Sequence, residues 1–298
     1  MKKILLLIFI VIGIFNLSHA QNIQVDAAEN QYGDVAKLIG KDNVTVTSII
    51  NNADGDPHSF ISSVKNAKLL SNADVIIYNG ADYDSWMDAV AKNNTKDITI
   101  KVEDLGKYSE VEKLGINPHL WYKPSTLPTL AKKLTETFSK LNSEHKKEYE
   151  KNYKDFMKRY AKVYTLIKNI KSKYKGTPVT ATEPLFGYMS DALGLDMKAL
   201  NFQWVIMNES EPSPKMMIDY QNLLKNKQVK VLFYNKQVTD NVTKNILKIA
   251  NDNNIPVVGI TETMPQNDNV ISWMIRNLEN TQSALNKSAA ISNNEKTK

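Results

Sequence analysis

Short apolar runs alternate with amphipathic stretches in both halves of the chain. Runs rich in β-branched and aromatic residues predict strands, and the amphipathic stretches between them predict helices. In the first half the predicted strands are residues 23–27, 44–50, 75–78 and 98–102. In the second half we predict strands at 179–182, 229–234 and 256–261, an extended segment at 197–204, and a final helix at 271–285 with a frayed tail. Strands that alternate with helices are typical of parallel sheets, so the predicted fold class is α/β.

A long polar segment separates the two halves. Its apolar residues recur at steps of four and three, which indicates one narrow buried stripe on an α-helix. The stripe comprises Tyr149, Tyr153, Phe156, Tyr160, Val163, Ile167 and Ile170. We interpret this segment as a surface helix that joins two lobes, rather than as an isolated coiled coil. The predicted organisation is a signal peptide at 1–20, an N-terminal lobe at 21–142, a linking helix at 143–175 and a C-terminal lobe at 176–298.

The N-terminus has the features of an export signal. Lys2 and Lys3 precede an apolar run at residues 4–15, and a small-x-small pattern ends at Ala20. The run is too short to cross a bilayer comfortably as a helix. Because the sequence has no cysteine, we expect no lipoprotein anchor, disulfide framework, thiolate metal site or cysteine nucleophile. We therefore expect a periplasmic protein that is released from its signal peptide; the alternative is an uncleaved signal anchor.

Charge adds little to this picture. The chain carries 38 Lys+Arg and 32 Asp+Glu, a net charge of +6, which becomes +4 when the two lysines of the signal peptide are removed. Acidic residues are mixed among the basic ones throughout, whereas nucleic-acid binders concentrate positive charge in patches. We therefore expect no nucleic-acid partner.

Two of the four histidines lie in the same short motif. Residues 56–60 read Asp-Pro-His-Ser-Phe, and residues 117–121 read Asn-Pro-His-Leu-Trp. Proline restricts the backbone, so each imidazole is presented from a stiffened loop. One such motif is usually an ordinary loop, but its repetition favours a pair of metal ligands, His58 and His119. His145 lies among lysines at the start of the long helix, and we interpret it as a solvated side chain.

Two acidic residues follow predicted strands in the second half. Glu183 comes directly after the strand at 179–182, and Glu262 directly after the strand at 256–261. In open α/β sheets ligands bind beyond the carboxyl ends of the strands. Either residue alone would be interpreted as a helix-entry or turn acid. Together with the histidine pair they supply two imidazoles and two carboxylates, a set that suits Mn²⁺, Fe²⁺ or Zn²⁺.

With these motifs, the chain resembles the metal-specific substrate-binding proteins of bacterial ABC transporters. This zinc and manganese family is known as cluster A-I and includes ZnuA-like and PsaA-like proteins. The resemblance covers nearly the whole mature chain and rests on residues 27–30, 56–58, 117–121, 182–188, 235–238 and 257–263. It implies two βα lobes with central parallel sheets, a long rigid helix between them, and a metal site in the cleft. The implied ligands are His58, His119, Glu183 and Glu262.

The resemblance also implies a function. The protein would be a monomeric binding protein, not an enzyme, that captures Mn²⁺ or Zn²⁺, with Fe²⁺ possible, and delivers it to a permease in the inner membrane. Zinc members often carry a histidine-rich loop before the second histidine, whereas residues 103–115 contain no histidine. Glu262 stands where the family usually has Asp. Because the site is poor in histidine, the resemblance favours manganese or iron, although zinc generally binds more tightly than manganese.

Two other functions remain open at this point. An exported metallohydrolase would need a general base, for which Asp54, Asp56 or Glu209 are candidates, but the sequence contains no H-E-x-x-H motif. A binding protein for an organic solute would line its cleft with aromatic residues. The candidates for that lining are Phe60, Trp86, Trp121 and Phe202.

Overall fold

A computed structural model describes most of the chain. The described residues are 22–51, 70, 72–93, 98–108, 110–111, 114–238 and 240–296. Residues 1–20, His58 and Phe60 therefore lie outside the described residues, as do Asp54 and Asp56. Among the helices that are described, none is long and apolar enough to cross a membrane.

The first half folds around a four-stranded parallel sheet. Its strands are β1 (Ile23–Glu29), β2 (Val44–Ile50), β3 (Val75–Tyr78) and β4 (Ile98–Lys101). They lie in the order β2-β1-β3-β4, and every pair is parallel. All four residues of β3 are buried, as expected for a strand covered on both faces. The helices of this half are α1 (Asn30–Gly40), α2 (Trp86–Asn93) and α3 (Thr126–Leu141).

Two very short strands follow this sheet. Strands β5 (Glu110–Val111) and β6 (Gly115–Ile116) pair with each other in antiparallel fashion. They precede the loop that carries His119.

The second half contains a sheet of the same design. Its strands are β7 (Pro178–Ala181), β8 (Asp196–Lys198), β9 (Leu232–Asn235) and β10 (Val257–Ile260). The order is β10-β9-β7-β8, again entirely parallel. Counted from the first strand of each lobe, both sheets have the order 2-1-3-4. The helices of this half are α5 (Gly187–Leu193), α6 (Leu200–Met207), α7 (Pro214–Lys225), α8 (Asn241–Asp252) and α9 (Val270–Lys296).

A single helix connects the halves. Helix α4 (Lys146–Tyr174) has 29 residues, so at about 1.5 Å per residue it is about 43 Å long. A 3₁₀ turn, Ser143–His145, precedes it. The buried face includes Tyr149, Phe156 and Tyr160 and packs against α3 and α9. The predicted fold class, two parallel-sheet α/β lobes joined by a long helix, is confirmed.

The buried stripe of α4 differs in detail from the predicted one. Tyr153 and Ile167 are only partly buried, whereas Asn152 is buried. The amide Nδ2 of Asn152 donates to the carbonyl of Ile39 at 2.9 Å. This bond satisfies a carbonyl in the last turn of α1, so a polar residue is accommodated within the apolar contact.

Two secondary-structure predictions were wrong. The segment 197–204, predicted to be extended, continues β8 only to Lys198 and then forms helix α6. The final helix does not fray after Leu285 but runs on as α9. Within this extension Ser288 is buried, so packing against the body of the protein helps to hold a stretch whose composition alone is polar.

The carboxyl ends of the two sheets face each other across the cleft. In each sheet the strand order reverses beside the first strand, between β1 and β3 in one lobe and between β7 and β9 in the other. Such a reversal leaves a crevice beyond the strand ends where ligands bind. Hydrogen bonds join the two crevices: Tyr122 Oη donates to the Thr261 carbonyl at 2.6 Å, and Asn117 Nδ2 to the Pro184 carbonyl at 2.6 Å.

Candidate metal site

Two buried carboxylates lie at the carboxyl edge of the C-terminal sheet. Glu183 follows β7, Glu262 follows β10, and Asn235 ends the strand β9 that runs between them. The Asn235 amide Nδ2 donates to Glu262 Oε1 at 2.6 Å and to Glu183 Oε2 at 3.1 Å. One amide therefore ties the two carboxylates together.

Gln237 fixes the backbone that carries Glu262. Its Oε1 accepts hydrogen bonds from the backbone N–H groups of Glu262 at 2.6 Å and Thr263 at 3.2 Å. The backbone N–H of Gln237 in turn donates to Asn235 Oδ1 at 3.0 Å. Because Asn235 and Gln237 are two residues apart, this short segment orients both the side chain and the backbone of Glu262.

The N-terminal lobe contributes His119. Asn117 Oδ1 accepts the backbone N–H of His119 at 3.1 Å and lies 2.7 Å from its Nδ1. Since Oδ1 is an acceptor, Nδ1 carries a proton, and in the neutral imidazole Nε2 then carries the lone pair. Nε2 lies 3.9 Å from Glu262 Oε2. A partner on one ring nitrogen that orients the other is the usual arrangement of a metal-binding histidine.

Tyr83 also reaches Glu262 from the N-terminal lobe. Its hydroxyl donates to Glu262 Oε2 at 2.9 Å, and its ring meets that of His119 edge to face, with centroids 6.2 Å apart. Burial, and after it the negative charge of Glu262, raises the pKa of Tyr83 well above its ordinary value. The phenol is therefore neutral and acts as a hydrogen-bond donor.

The cluster is almost completely withdrawn from water. His119 and Glu262 are 0% exposed and Glu183 is 3% exposed. Two acidic side chains this close in a buried site repel each other and lose hydration, a cost that a cation between them would offset. In the described part of the chain, no group of three or more His, Asp or Glu side chains is arranged to hold a metal ion by itself. The structure brings His119 and Glu262 together. The side-chain amide of Asn235 connects Glu183 to Glu262.

A direct clasp between the lobes lies beside Glu262. Asn30, the first residue of α1, donates from Nδ2 to the Met264 carbonyl at 2.6 Å. Its Oδ1 accepts the backbone N–H of Met264 at 3.0 Å. This pair fixes the loop after β10 against the N-terminal lobe, two residues from the Glu262 carboxylate.

The remaining described residues singled out in the sequence are not part of this hydrogen-bonded cluster. His145 is partly exposed, with Nδ1 3.3 Å from Glu148 Oε2. Glu209 is exposed at the rim of a cavity of about 350 Å³ that Glu183 also lines. Trp121 and Phe202 are buried in the hydrophobic core rather than exposed to the cleft.

The comparisons with known proteins agree with this architecture. The family model described as zinc-uptake complex component A, periplasmic (ZnuA), matches residues 25–284. The chain belongs to this family. The manganese ABC transporter substrate-binding lipoprotein PsaA of Streptococcus anginosus is 25% identical over 289 residues, 90% of each chain. The resemblance noted in the sequence is thereby confirmed.

Solved structures show the same fold. The periplasmic zinc binding protein TroA from Treponema pallidum superposes with a TM-score of 0.75 at 18% identity, covering 89% of this chain and 99% of that one. A Mn-bound mutant of a periplasmic metal binding protein from Candidatus Liberibacter asiaticus gives a TM-score of 0.74 at 22% identity, covering 89% and 100%.

Three polar residues of the site did not stand out in the sequence. Asn235 and Gln237 lie in a segment that carried the family resemblance, but no role was predicted for them. Tyr83 follows Asn79-Gly80, a dipeptide that indicates only the end of a strand. The available signal was their position in the sequence: Asn235 ends a strand, and Tyr83 and Gln237 lie shortly after strands, at the carboxyl edge of a sheet.

Proposed function

We propose that this protein captures a divalent transition-metal cation, Mn²⁺ or Zn²⁺ with Fe²⁺ as a further candidate, and delivers it to an ABC permease in the inner membrane. The ligands in this proposal are His58, His119, Glu183 and Glu262. The observation that carries it is the buried contact between an imidazole from one lobe and a carboxylate from the other, Nε2 to Oε2, at 3.9 Å.

Electrostatics supports a cation as the ligand. The cluster brings two acidic side chains into a site shielded from water, where Asn235 and Tyr83 bind them as neutral donors and His119 lies beside Glu262. A divalent cation compensates both charges, and a neutral imidazole adds a nitrogen ligand. Neutral imidazole is needed, so binding should weaken as the pH falls below about 6.5.

The donor set bears on the choice of metal. Two carboxylates among four ligands suit a harder cation such as Mn²⁺ better than a histidine-rich site does. Zinc still competes, because its intrinsic affinity for nitrogen and oxygen ligands generally exceeds that of manganese. The names of relatives point both ways: PsaA of Streptococcus anginosus is named for manganese and TroA of Treponema pallidum for zinc. We favour manganese as the physiological cargo.

The proposal also covers the cellular location of the protein and its division into lobes. Residues 1–20 are a cleaved signal peptide, and lobes 21–142 and 176–298 flank the linking helix 143–175. The protein works as a periplasmic monomer. The PsaA relatives are called lipoproteins, but this chain has no cysteine to acylate, so we propose a form without that anchor.

The exported metallohydrolase receives no support from the relatives, which are named as metal-binding and transport proteins. Of its candidate bases, the described one, Glu209, is exposed. Hydrolysis would also need an open coordination position for water, which four protein ligands would leave little room to provide.

The test is a calorimetric titration of chelator-treated protein with Mn²⁺ and with Zn²⁺. The proposal predicts one site per chain, at least a 10–100-fold loss of affinity in His119→Ala, an order of magnitude typical even for loss of a supporting partner, and no loss in His145→Ala. Wild-type protein that binds neither cation, or equal affinities of the two variants, would refute it.

A further inference from the structure

Tyr83 is presented to the cleft by an unusual turn. Gly80, Ala81 and Asp82 have φ values of 79°, 51° and 61°, so three consecutive residues adopt the left-handed conformation. Alanine and aspartate rarely adopt it, because the Cβ atom crowds the backbone. Non-glycine residues in such conformations persist only where the surroundings hold them, and they concentrate at functional sites.

Several contacts hold this turn in place. Asp84 accepts the backbone N–H groups of Asn79 at 2.6 Å and Gly80 at 2.8 Å. Glu103 Oε2 accepts the N–H of Ala81 at 3.0 Å. The side chain of Asn79 donates to the carbonyl of Pro118 at 2.9 Å, which ties the turn to the loop that carries His119. The strained turn and the histidine loop are therefore linked into one hydrogen-bonded unit.

The unit aims the phenol of Tyr83 at a single atom. Its hydroxyl lies 2.9 Å from Glu262 Oε2, the same oxygen that faces His119 Nε2 at 3.9 Å. The ring packs edge to face on Trp121, with centroids 5.0 Å apart. The other carboxylate oxygen, Oε1, is bound by Asn235. The two donors thus define the rotation of the Glu262 carboxylate, one from each lobe.

The geometry points to Tyr83 as a positioning residue of the metal site: its hydroxyl orients Glu262 from the opposite lobe and sets which lone pairs of Oε2 face the cation. This inference rests on the proposed function, because it takes Glu262 as a ligand. Partners that orient a ligating carboxylate govern metal affinity and ligand field without contacting the cation.

The test compares Tyr83→Phe with wild type, using Zn²⁺ for affinity and Co²⁺ as a spectroscopic probe. The change removes one oxygen and keeps the ring that packs on Trp121. We expect a fall in Zn²⁺ affinity of about 10–100-fold and a shift in position or intensity of the Co²⁺ d–d absorption bands, because Glu262 is released to rotate.

Tyr78→Phe is the matched control. Tyr78 lies in the same lobe and donates to the Asp88 carboxylate at 2.9 Å, the same type and length of bond, but away from the candidate ligands. It should leave affinity and spectrum unchanged. Circular dichroism of both variants would verify the fold.

Each result has one meaning. Wild-type protein that binds no metal would overturn the proposed function and this inference together. If wild type binds and His119→Ala does not, but Tyr83→Phe has wild-type affinity and spectrum, only the role of Tyr83 is overturned. A fall in affinity with an unchanged Co²⁺ spectrum would show that Tyr83 merely supports the fold, and would also overturn it.

Discussion

Asn235→Ala should destabilise the metal-free protein more than any ordinary buried asparagine would. The Asn235 amide donates to Glu262 at 2.6 Å and to Glu183 at 3.1 Å, and its oxygen accepts the N–H of Gln237 at 3.0 Å. A hydrogen bond to a charged group contributes about 1.5–3 kcal/mol. Loss of the two bonds to carboxylates should therefore lower the free energy of unfolding by about 3–6 kcal/mol.

Asn152→Ala provides the comparison. Asn152 is buried to the same degree, 2% exposed against 1% for Asn235, but it makes a single neutral bond, to the Ile39 carbonyl at 2.9 Å. Its loss should cost about 1 kcal/mol. The two substitutions remove the same atoms, so differences in apolar burial largely cancel.

The assay is urea unfolding in the presence of a chelator, followed by tryptophan fluorescence. The two variants should share the wild-type dependence of the unfolding free energy on urea concentration, so that midpoints can be compared directly. If Asn235→Ala proves no less stable than Asn152→Ala, the amide does not compensate two buried carboxylates, and the electrostatic reasoning behind the site is wrong.

Three further predictions concern the N-terminal lobe and the clasp. Asn30→Asp keeps the acceptor for the Met264 N–H but sets a carboxylate against its carbonyl, so it should lower the thermal midpoint more than Asn30→Ala; the reverse order would argue against the clasp. Burial, and then the charge of Asp84, raises the pKa of Glu29 well above its ordinary value of 4.5. The native state therefore holds a proton that the unfolded chain releases, and stability falls as the pH rises above that value. Glu29→Gln should raise the thermal midpoint at pH 7.5 and change it little at pH 4, and an equal change at both would contradict this. Gly80→Ala places a side chain at a φ of 79° and should cost about 1–2 kcal/mol; unchanged stability in urea would show that the turn is not constrained.

The sequence was most informative where local pattern and tertiary burial agree. Periodicity predicted the long helix and every strand of the two sheets except β8, because each of these elements has a consistently buried face or is buried along its length. It failed for α6, whose residues Leu200–Met207 are apolar nearly throughout; such a run is compatible with a buried strand or a buried helix. Helix α3, Thr126–Leu141, received no prediction, although its buried residues recur with helical spacing.

The residues of the candidate site likewise fall into those that the sequence could identify and those that it could not. His119, Glu183 and Glu262 were identifiable from the sequence, because His119 lies in a repeated motif and the two glutamates directly follow predicted strands. Tyr83 was not, because its partner, Glu262, is 179 residues away in sequence and only the packing of the lobes brings them together. The role of Asn235 likewise depends on which strands are neighbours in the sheet, and no local pattern encodes that order.

The most direct test of the account is anomalous X-ray diffraction from crystals grown with Mn²⁺ or Zn²⁺, recorded near the absorption edge of that metal. The account predicts one strong peak per chain in the cleft, bounded by His119 Nε2 and by the carboxylates of Glu183 and Glu262, with His58 as the remaining ligand. A peak elsewhere on the chain, or no peak in crystals of protein that binds the metal in solution, would contradict it.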